Sequence, residues 1–147
     1  MIDLVRERTV IAAPLPRVLS LIVDVANWPD WQPSLEQVEL LDGQSPPQTA
    51  RLGSRVGPWL AFNTVSISHS ADGLSFTLRN SELLRTYDGI WSAREVGANH
   101  TEVGYALRVV PVALAPKFIV ERATRSDLNA SLNSMKESLA HWERKGS

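Results

Sequence analysis

Residues 114–142, LAPKFIVERATRSDLNASLNSMKESLAHW, determine how the rest of the chain must fold. Large apolar residues recur in this stretch at intervals of four, three, four and three, which places them on one face of a single long helix. These residues are Leu128, Leu132, Met135, Leu139 and Trp142. Pro111 and Pro116 mark the entry to the helix, because proline is tolerated in a first turn but not in a helix interior.

The middle of this helix, residues 126–134, is rich in residues of low helix propensity. A helix of this composition is weak alone, so its stability must come from packing on a larger surface. The upstream sequence predicts a sheet that supplies that surface.

Upstream of the helix, the sequence predicts a strand, a helix, a short helical turn and then about six strands. Val5–Ile11 alternates like a strand, and Pro14 and Pro16 suit the first turn of a helix. Residues 27–33 contain two prolines, which limits them to a helical turn. Short connections favour antiparallel pairing and an α+β fold. The later strands are predicted over residues 35–41, 50–56, 59–69, 74–80, 84–94 and 101–110.

The composition is that of an ordinary globular domain, and we expect one domain over residues 1–147. Hydrophobic residues make up 44% of the chain, charged residues 21%, and the net charge of −1 gives no support to nucleic-acid binding. There is no cysteine, so disulfides and thiolate metal sites are excluded. We see no signal peptide and no apolar run long enough for a membrane span, and we therefore expect a cytoplasmic protein without stable membrane insertion.

Two segments near the N-terminus resemble the opening of the START-like polyketide cyclase/dehydrase superfamily, also called SRPBCC. They are residues 10–18, VIAAPLPRV, and residues 24–31, DVANWPDW. Residues 87–91 and 101–105 resemble its last two strands. The resemblance implies a helix-grip, Bet v 1-like fold, in which a curved antiparallel sheet of six to seven strands wraps around the C-terminal helix. It also implies a deep cavity between the sheet and that helix.

Alternation and the resemblance together predict which strand residues face this cavity. A one-residue bulge would invert any of these assignments. The list is mostly apolar with a few polar tips, which suits a hydrophobic ligand carrying one or two oxygen functions. For each aromatic residue, plain core packing is the alternative. The candidate ligand-contacting residues on the sheet side are Trp31, Trp59, Asn63, Asn80, Arg85, Tyr87 and Tyr105.

On the helix, the apolar stripe becomes polar when it is followed back from Leu128. Glu121 and Arg125 are four residues apart, in the favourable order for an ion pair. Together with Thr124 and Phe118 they are candidates for the helix side of the site. The alternative is that this charged pair lies on a solvent-exposed first turn of the helix and has no role in binding.

No sequence motif points to a metal or a cofactor, and none is expected. His69, His100 and His141 lack metal-ligand spacing, and the chain has neither a nucleophile elbow nor a phosphate-binding or dinucleotide fingerprint.

The sequence predicts binding of a small hydrophobic ligand such as a lipid, polyketide or quinone. A polyketide cyclase, aromatase or dehydrase that uses cavity tyrosine or arginine as acid–base groups is the alternative. Aromatase/cyclases of the superfamily typically carry a tyrosine just after the Trp-Pro turn and an arginine in the middle of the sheet. Neither is present within residues 31–38 or 59–69, which favours binding over catalysis. A subunit role based on protein association, including a homodimer, stays open.

Overall fold

The part of the chain that the structure describes forms a seven-stranded antiparallel sheet with two α-helices and a 3-10 helix. The computed structural model describes residues 4–43, 48–56 and 59–145, and the side chains of residues 55, 56, 59 and 141–145 lie outside that description. The strands are β1 (Val5–Ile11), β2 (Leu35–Leu40), β3 (Thr49–Val56), β4 (Trp59–Ser70), β5 (Gly73–Ser81), β6 (Leu84–Gly97) and β7 (His100–Pro111). The helices are α1 (Leu15–Val23), the 3-10 helix (Val25–Asp30) and α2 (Lys117–Lys145).

The sheet runs in the order β1-β7-β6-β5-β4-β3-β2, and every neighbouring pair is antiparallel. It is an open, curved sheet that grips α2, so the predicted helix-grip fold is confirmed. Helix α2 lies against β1 and β7, whereas α1 covers part of β5 and β6 and the 3-10 helix lies on β2. Different helices therefore cover different strands of the sheet.

Helix α2 begins at Lys117, three residues later than the sequence predicts. The helical conformation is disfavoured for a residue that precedes proline, here Ala115. The helix therefore starts after Pro116 rather than at Leu114. The carbonyl of Pro116 accepts the first helical bonds, from the amides of Ile119 (3.1 Å) and Val120 (3.2 Å).

The second half of α2 confirms the apolar stripe. Leu128, Leu132, Met135 and Leu139 are all buried against the sheet. Trp142, the last residue predicted for this stripe, has its side chain outside the described residues.

The connection between α1 and the 3-10 helix is fixed by a buried tryptophan. The indole Nε1 of Trp28 donates to the carbonyl of Ile22 at 2.9 Å. Its ring lies 6.2 Å from that of Phe76 on β5. Trp28 and Trp31 are both buried, so both tryptophans of the Trp-Pro segment pack in the core.

Two β-bulges overturn two of the orientations predicted from strict alternation. On β5, Leu78 pairs with Val65 and Asn80 with Thr64, which leaves Arg79 as an extra residue and turns Asn80 to the outer face, where it is exposed. On β6, Leu84 and Thr86 pair with consecutive residues of β7, so Arg85 is the bulged residue. Arg85 is exposed and does not share the orientation of Tyr87.

Candidate functional site

Two tyrosines from neighbouring strands meet inside the sheet. Tyr87 on β6 and Tyr105 on β7 face the same side, and their side chains lie within hydrogen-bonding reach of each other. Burial raises the pKa of both phenols well above the usual value. Both therefore stay protonated, and the pair can offer a neutral O–H donor at neutral pH.

A carboxyl group from α2 faces this pair. Asp127 lies close enough for its charge to raise the pKa of both tyrosines further. Burial raises the pKa of Asp127 itself, and a hydrogen bond from the Ser34 hydroxyl partly offsets that shift. We refer to Tyr87, Tyr105, Asp127 and Ser34 as the Tyr–Asp cluster. It joins β6, β7, α2 and the segment before β2.

A chain of aromatic contacts surrounds the Tyr–Asp cluster and begins and ends on the Trp-Pro segment. Trp31 meets Trp91 edge-on at 5.4 Å, and Trp91 stacks on Tyr105 at 3.8 Å with an angle of 13° between the rings. On the other side, the Tyr87 ring lies 5.1 Å from Phe76, which contacts Trp28. The two tyrosines are thus packed among aromatic rings, where hydrogen bonds act strongly.

Gly89 makes room for this arrangement. It lies opposite Phe76 in the sheet, and the Phe76 ring occupies the space that a β-carbon at position 89 would take. Glycine in a strand often marks a place where another group approaches the backbone closely, and here that group is the Phe76 ring. A side chain at this position would displace Phe76 from its contact with Tyr87.

The comparisons with known proteins agree with this geometry. The family model described as "Polyketide cyclase / dehydrase and lipid transport" matches residues 3–140. The chain belongs to this family. No curated protein matches the sequence significantly.

Solved structures show the same fold at low sequence identity. A START superfamily protein from Mycobacterium smegmatis superposes with a TM-score of 0.88 at 15% identity, covering 95% of this chain and 98% of that one. The Zhui aromatase/cyclase from Streptomyces sp. R1128 gives 0.83 at 20% identity, with 99% and 96% coverage. A protein from Thermus thermophilus gives 0.79 at 16% identity, with 95% and 98% coverage. At these identities the likeness establishes the fold.

Within this family fold, four of the predicted sheet residues lie inside. Tyr87 and Tyr105 are brought together as described, and Trp31 is buried beside Trp91. Asn63 is also buried, and its Oδ1 accepts a hydrogen bond of 2.6 Å from the Ser81 hydroxyl. The side chain of Trp59 lies outside the described residues. Contact of these residues with a ligand stays a proposal.

Asn80 lies on the opposite face of the sheet from the Tyr–Asp cluster. It lines an outer recess of about 650 Å³ together with Arg51 and Phe62. The guanidinium of Arg51 lies 4.0 Å from the centre of the Phe62 ring. The bulge at Arg79 therefore moves Asn80 from one surface of the molecule to the other.

The predicted ion pair between Glu121 and Arg125 is wrong. Arg125 pairs with Glu7, which lies on the inner face of β1 opposite Tyr105. Glu121 pairs with Lys117 at 3.8 Å, one helical turn earlier. Glu121 and Arg125 are therefore each paired with a different residue. Arg125 reaches Glu7 because β1 packs beside α2.

The remaining two helix candidates divide between surface and interior. Phe118 is 63% exposed, so it does not line the interior. Thr124 is buried and its hydroxyl donates to the carbonyl of Val120 at 2.8 Å. Thr124 therefore faces the core without offering its proton to the Tyr–Asp cluster.

Sequence reasoning missed Asp127 and Ser34. Asp127 follows the buried Thr124 by three residues and precedes the buried Ser131 by four, so helical spacing alone places it on the same inner face. That spacing is the signal that could have found it. Ser34 lies in an irregular segment, and nothing local in the sequence indicates its partner.

The described residues lack two other kinds of functional feature. No helix among them is long and apolar enough to cross a membrane. Within the same part of the chain, no three histidine or acidic side chains are grouped so that they could hold a metal ion.

Proposed function

We propose that this chain binds a small hydrophobic molecule between the sheet and the first half of α2, with the polar end of the ligand at the Tyr–Asp cluster. The observation that carries the proposal is the cluster itself. Two phenols that pack against aromatic rings lie together with a carboxyl group, and each ionisable group is costly to bury in charged form. A group of this kind is typical of a recognition site in an otherwise apolar pocket.

Partial exposure along the inner face supports this location. Leu78, Tyr87, Val109 and Asp127 keep some accessible surface although they face inward, whereas Leu128 and Met135 farther along α2 keep none. Helix α2 also lies against β1 and β7 rather than against β4 and β5. The inward side chains near the first half of the helix are therefore less completely buried than those along the second half.

The segment leading into α2 gives the site an apolar approach. Val112, Leu114, Phe118 and Ile119 are all exposed, and Leu114 is fully so. The amide of Val112 donates to the carbonyl of Leu83, another exposed apolar residue, at 2.9 Å. A hydrophobic molecule would meet this surface before it reached the enclosed cluster.

A fluorescence titration tests the proposal. N-phenyl-1-naphthylamine, a neutral dye that brightens in apolar surroundings, should bind to the wild-type protein. Val109→Trp should abolish binding, because Val109 packs beside Tyr87 and a larger ring there fills the space. Val110→Trp is the matched control, since residue 110 faces the other side of the strand. Equal dye binding by both variants would place the site elsewhere.

Native mass spectrometry of protein purified from its own host is the complementary measurement. A co-purifying small molecule that Val109→Trp loses and Val110→Trp keeps would identify the natural ligand class. Absence of both a co-purified molecule and dye binding would contradict the proposal.

A second candidate function is cyclisation of a poly-β-ketone chain, and Asp127 is the observation that favours it. Its carboxyl group, with a raised pKa, lies beside two phenols that remain protonated. In an intramolecular aldol step, a base removes a proton from carbon between two carbonyls. That carbon then bonds to a distant carbonyl carbon, whose oxygen takes a proton. Asp127 would act as the base and Tyr87 as the proton donor.

The sequence predicted tyrosine and arginine for this role, but Arg85 is exposed and Arg125 is paired with Glu7. The test is incubation with a synthetic poly-β-ketone thioester. The wild-type protein should form cyclised product, and the rate of product formation should fall about 100-fold or more with Asp127→Asn. Equal rates for the two proteins would exclude this chemistry while leaving the binding function intact.

A further inference from the structure

The outer recess that Asn80 lines contains a row of three polar side chains. Residues directly opposite each other on neighbouring strands point to the same face of a sheet, about 5 Å apart. Arg51 on β3 is opposite Thr64 on β4, and Thr64 is opposite Asn80 on β5. All three line the recess, on the face that turns away from the Tyr–Asp cluster. A guanidinium, a hydroxyl and a carboxamide therefore lie side by side on an accessible surface.

The β-bulge on β5 completes this row. Without the extra residue, Arg79 would stand opposite Thr64, and Asn80 would face inward. Bulges often redirect a side chain beside a functional site. Here the bulge places a neutral carboxamide, which can both donate and accept hydrogen bonds, at the end of the row.

The part of the recess beside this row is apolar. Phe62 and Leu60 share the outward direction of Thr64 along β4, and Leu83 contributes from the turn between β5 and β6. A β-carbon at Gly53 would lie 3.1 Å from the Phe62 ring and 3.5 Å from the Leu60 side chain. Glycine at this position therefore lets both side chains rest closely on β3. The recess thus combines a polar row with an apolar surface.

The turn that forms one wall of the recess is held by its own hydrogen bonds. The Ser81 hydroxyl donates to Asn63 Oδ1 at 2.6 Å and accepts from the amides of Leu83 at 3.2 Å and Leu84 at 3.1 Å. This wall is fixed without using the polar groups of the row. A site whose walls are already ordered loses less entropy when a ligand binds.

The polar row favours a ligand group that accepts hydrogen bonds and carries negative charge. The Arg51 guanidinium only donates, and its planar geometry suits a carboxylate. It is positioned by the Phe62 ring, whose centre lies 4.0 Å away. Glu39 approaches Arg51 only to 3.8 Å, and this ion pair is solvent-exposed, so a ligand can replace it at little cost. The Glu82 carboxylate also lines the recess, but it is exposed and water screens its repulsion.

We infer that the outer recess is a second binding site, and that it takes an apolar molecule carrying a carboxylate group. The carboxylate accepts hydrogen bonds from the row of Arg51, Thr64 and Asn80, and the apolar body lies against Phe62 and Leu60. The volume of about 650 Å³ is within the range of small-molecule sites. This inference goes beyond the proposed function and does not depend on it, because the two sites lie on opposite faces of the sheet.

A matched set of small molecules tests the inference by nuclear magnetic resonance. The probe is 2-naphthoate, and the side-chain amide signals of Asn80 report its binding. The neutral 2-naphthamide has the same ring system, and acetate has the charge without the apolar body. The signals should show 2-naphthoate binding about tenfold more tightly than 2-naphthamide, because hydrogen bonds to a charged group are stronger. Acetate should bind more weakly than 2-naphthoate.

Three charge variants locate the site. Arg51→Gln should weaken 2-naphthoate binding about tenfold and leave 2-naphthamide binding nearly unchanged. Glu82→Gln removes a repulsive charge, so it should strengthen 2-naphthoate binding. Arg94→Gln is the control, because Arg94 is an exposed arginine on β6 that pairs with Glu102 and does not line this recess. It changes the net charge of the protein as much as Arg51→Gln does.

Val109→Trp separates this site from the inner one. It fills the inner site, so the Asn80 signals should respond to 2-naphthoate as in the wild type. A response that Val109→Trp abolishes would place the acid on the inner face and overturn the inference, while the proposed function stands. Loss of dye binding by the wild type with an intact Asn80 response would contradict the proposed function alone.

Three further results would overturn the second site. The first is an absence of any Asn80 response at about 1 mM 2-naphthoate, where even weak binding is visible. The second is equal affinity for 2-naphthoate and 2-naphthamide. The third is an equal loss of affinity in Arg51→Gln and Arg94→Gln, which would indicate a general attraction of the acid to the protein.

Discussion

The two halves of α2 belong to one helix but have different surroundings. From Leu128 onward, the inward residues are buried and, apart from Ser131, apolar. Before Leu128, the inward residues are Thr124 and Asp127, and the outward ones include the exposed Phe118 and Ile119. The comparison indicates that the second half holds the sheet, whereas the first half faces a space where polar recognition is possible.

The largest expected effect is in the second half. Leu128→Ala should lower the free energy of unfolding by about 2–5 kcal/mol, because Leu128 is completely buried and its removal leaves a cavity. Urea unfolding measures this. Ile119→Ala, in the exposed first half, is the control and should change stability by no more than about 0.5 kcal/mol. Equal losses would remove the distinction between the two halves.

A smaller loss is expected within the Tyr–Asp cluster. Tyr105→Phe removes a buried hydroxyl that lies within hydrogen-bonding reach of Tyr87 and should cost about 1–2 kcal/mol, clearly less than Leu128→Ala. The same urea experiment measures it, and the dye titration should show altered ligand selectivity. A loss as large as that of Leu128→Ala would make the cluster part of the structural core instead.

The pH dependence of stability sharpens the role of Asp127. Burial raises the pKa of its carboxyl group in the folded state above the ordinary value of 3.8. The folded protein therefore keeps this proton to higher pH than the unfolded chain does. As the pH rises above the ordinary pKa of the carboxyl group, the contribution of Asp127 to stability falls. Asparagine cannot ionise, so Asp127→Asn should abolish this decrease in stability with rising pH.

The stability of Asp127→Asn relative to the wild type should thus be greater at about pH 7 than at about pH 4. Urea unfolding of both proteins at the two pH values gives the comparison. Asp30→Asn is the control, because Asp30 lies outside the Tyr–Asp cluster. A variant that is less stable than the wild type at neutral pH would mean that the charged carboxylate stabilises the fold.

The smallest expected effect concerns Arg125. Its pair with Glu7 joins α2 to β1 but is partly exposed, so Arg125→Ala should cost no more than about 1 kcal/mol. Glu7→Gln should cost a similar amount, and the double variant should add little beyond either single change. Loss of folding in Arg125→Ala would show that the first half of α2 also carries the fold.

Local patterns in the sequence predicted most of the fold and part of the site. The long helix, the Trp-Pro turn and six later strands follow from apolar spacing and from proline. Tyr87 and Tyr105 were also placed on the inner face, because alternation holds along those stretches of β6 and β7. Asn80 and Arg85 were misplaced, since one extra residue reverses the direction of every side chain beyond it.

Which segments are helix or strand, and which face is apolar where no bulge intervenes, follows from the sequence alone, because those properties depend on neighbours three or four residues away at most. The pairing of Arg125 with Glu7, 118 residues earlier in the chain, and the approach of Asp127 to Tyr87 and Tyr105 are visible in the folded protein alone. Such partners are brought together by packing across the sheet, and local spacing carries no information about them.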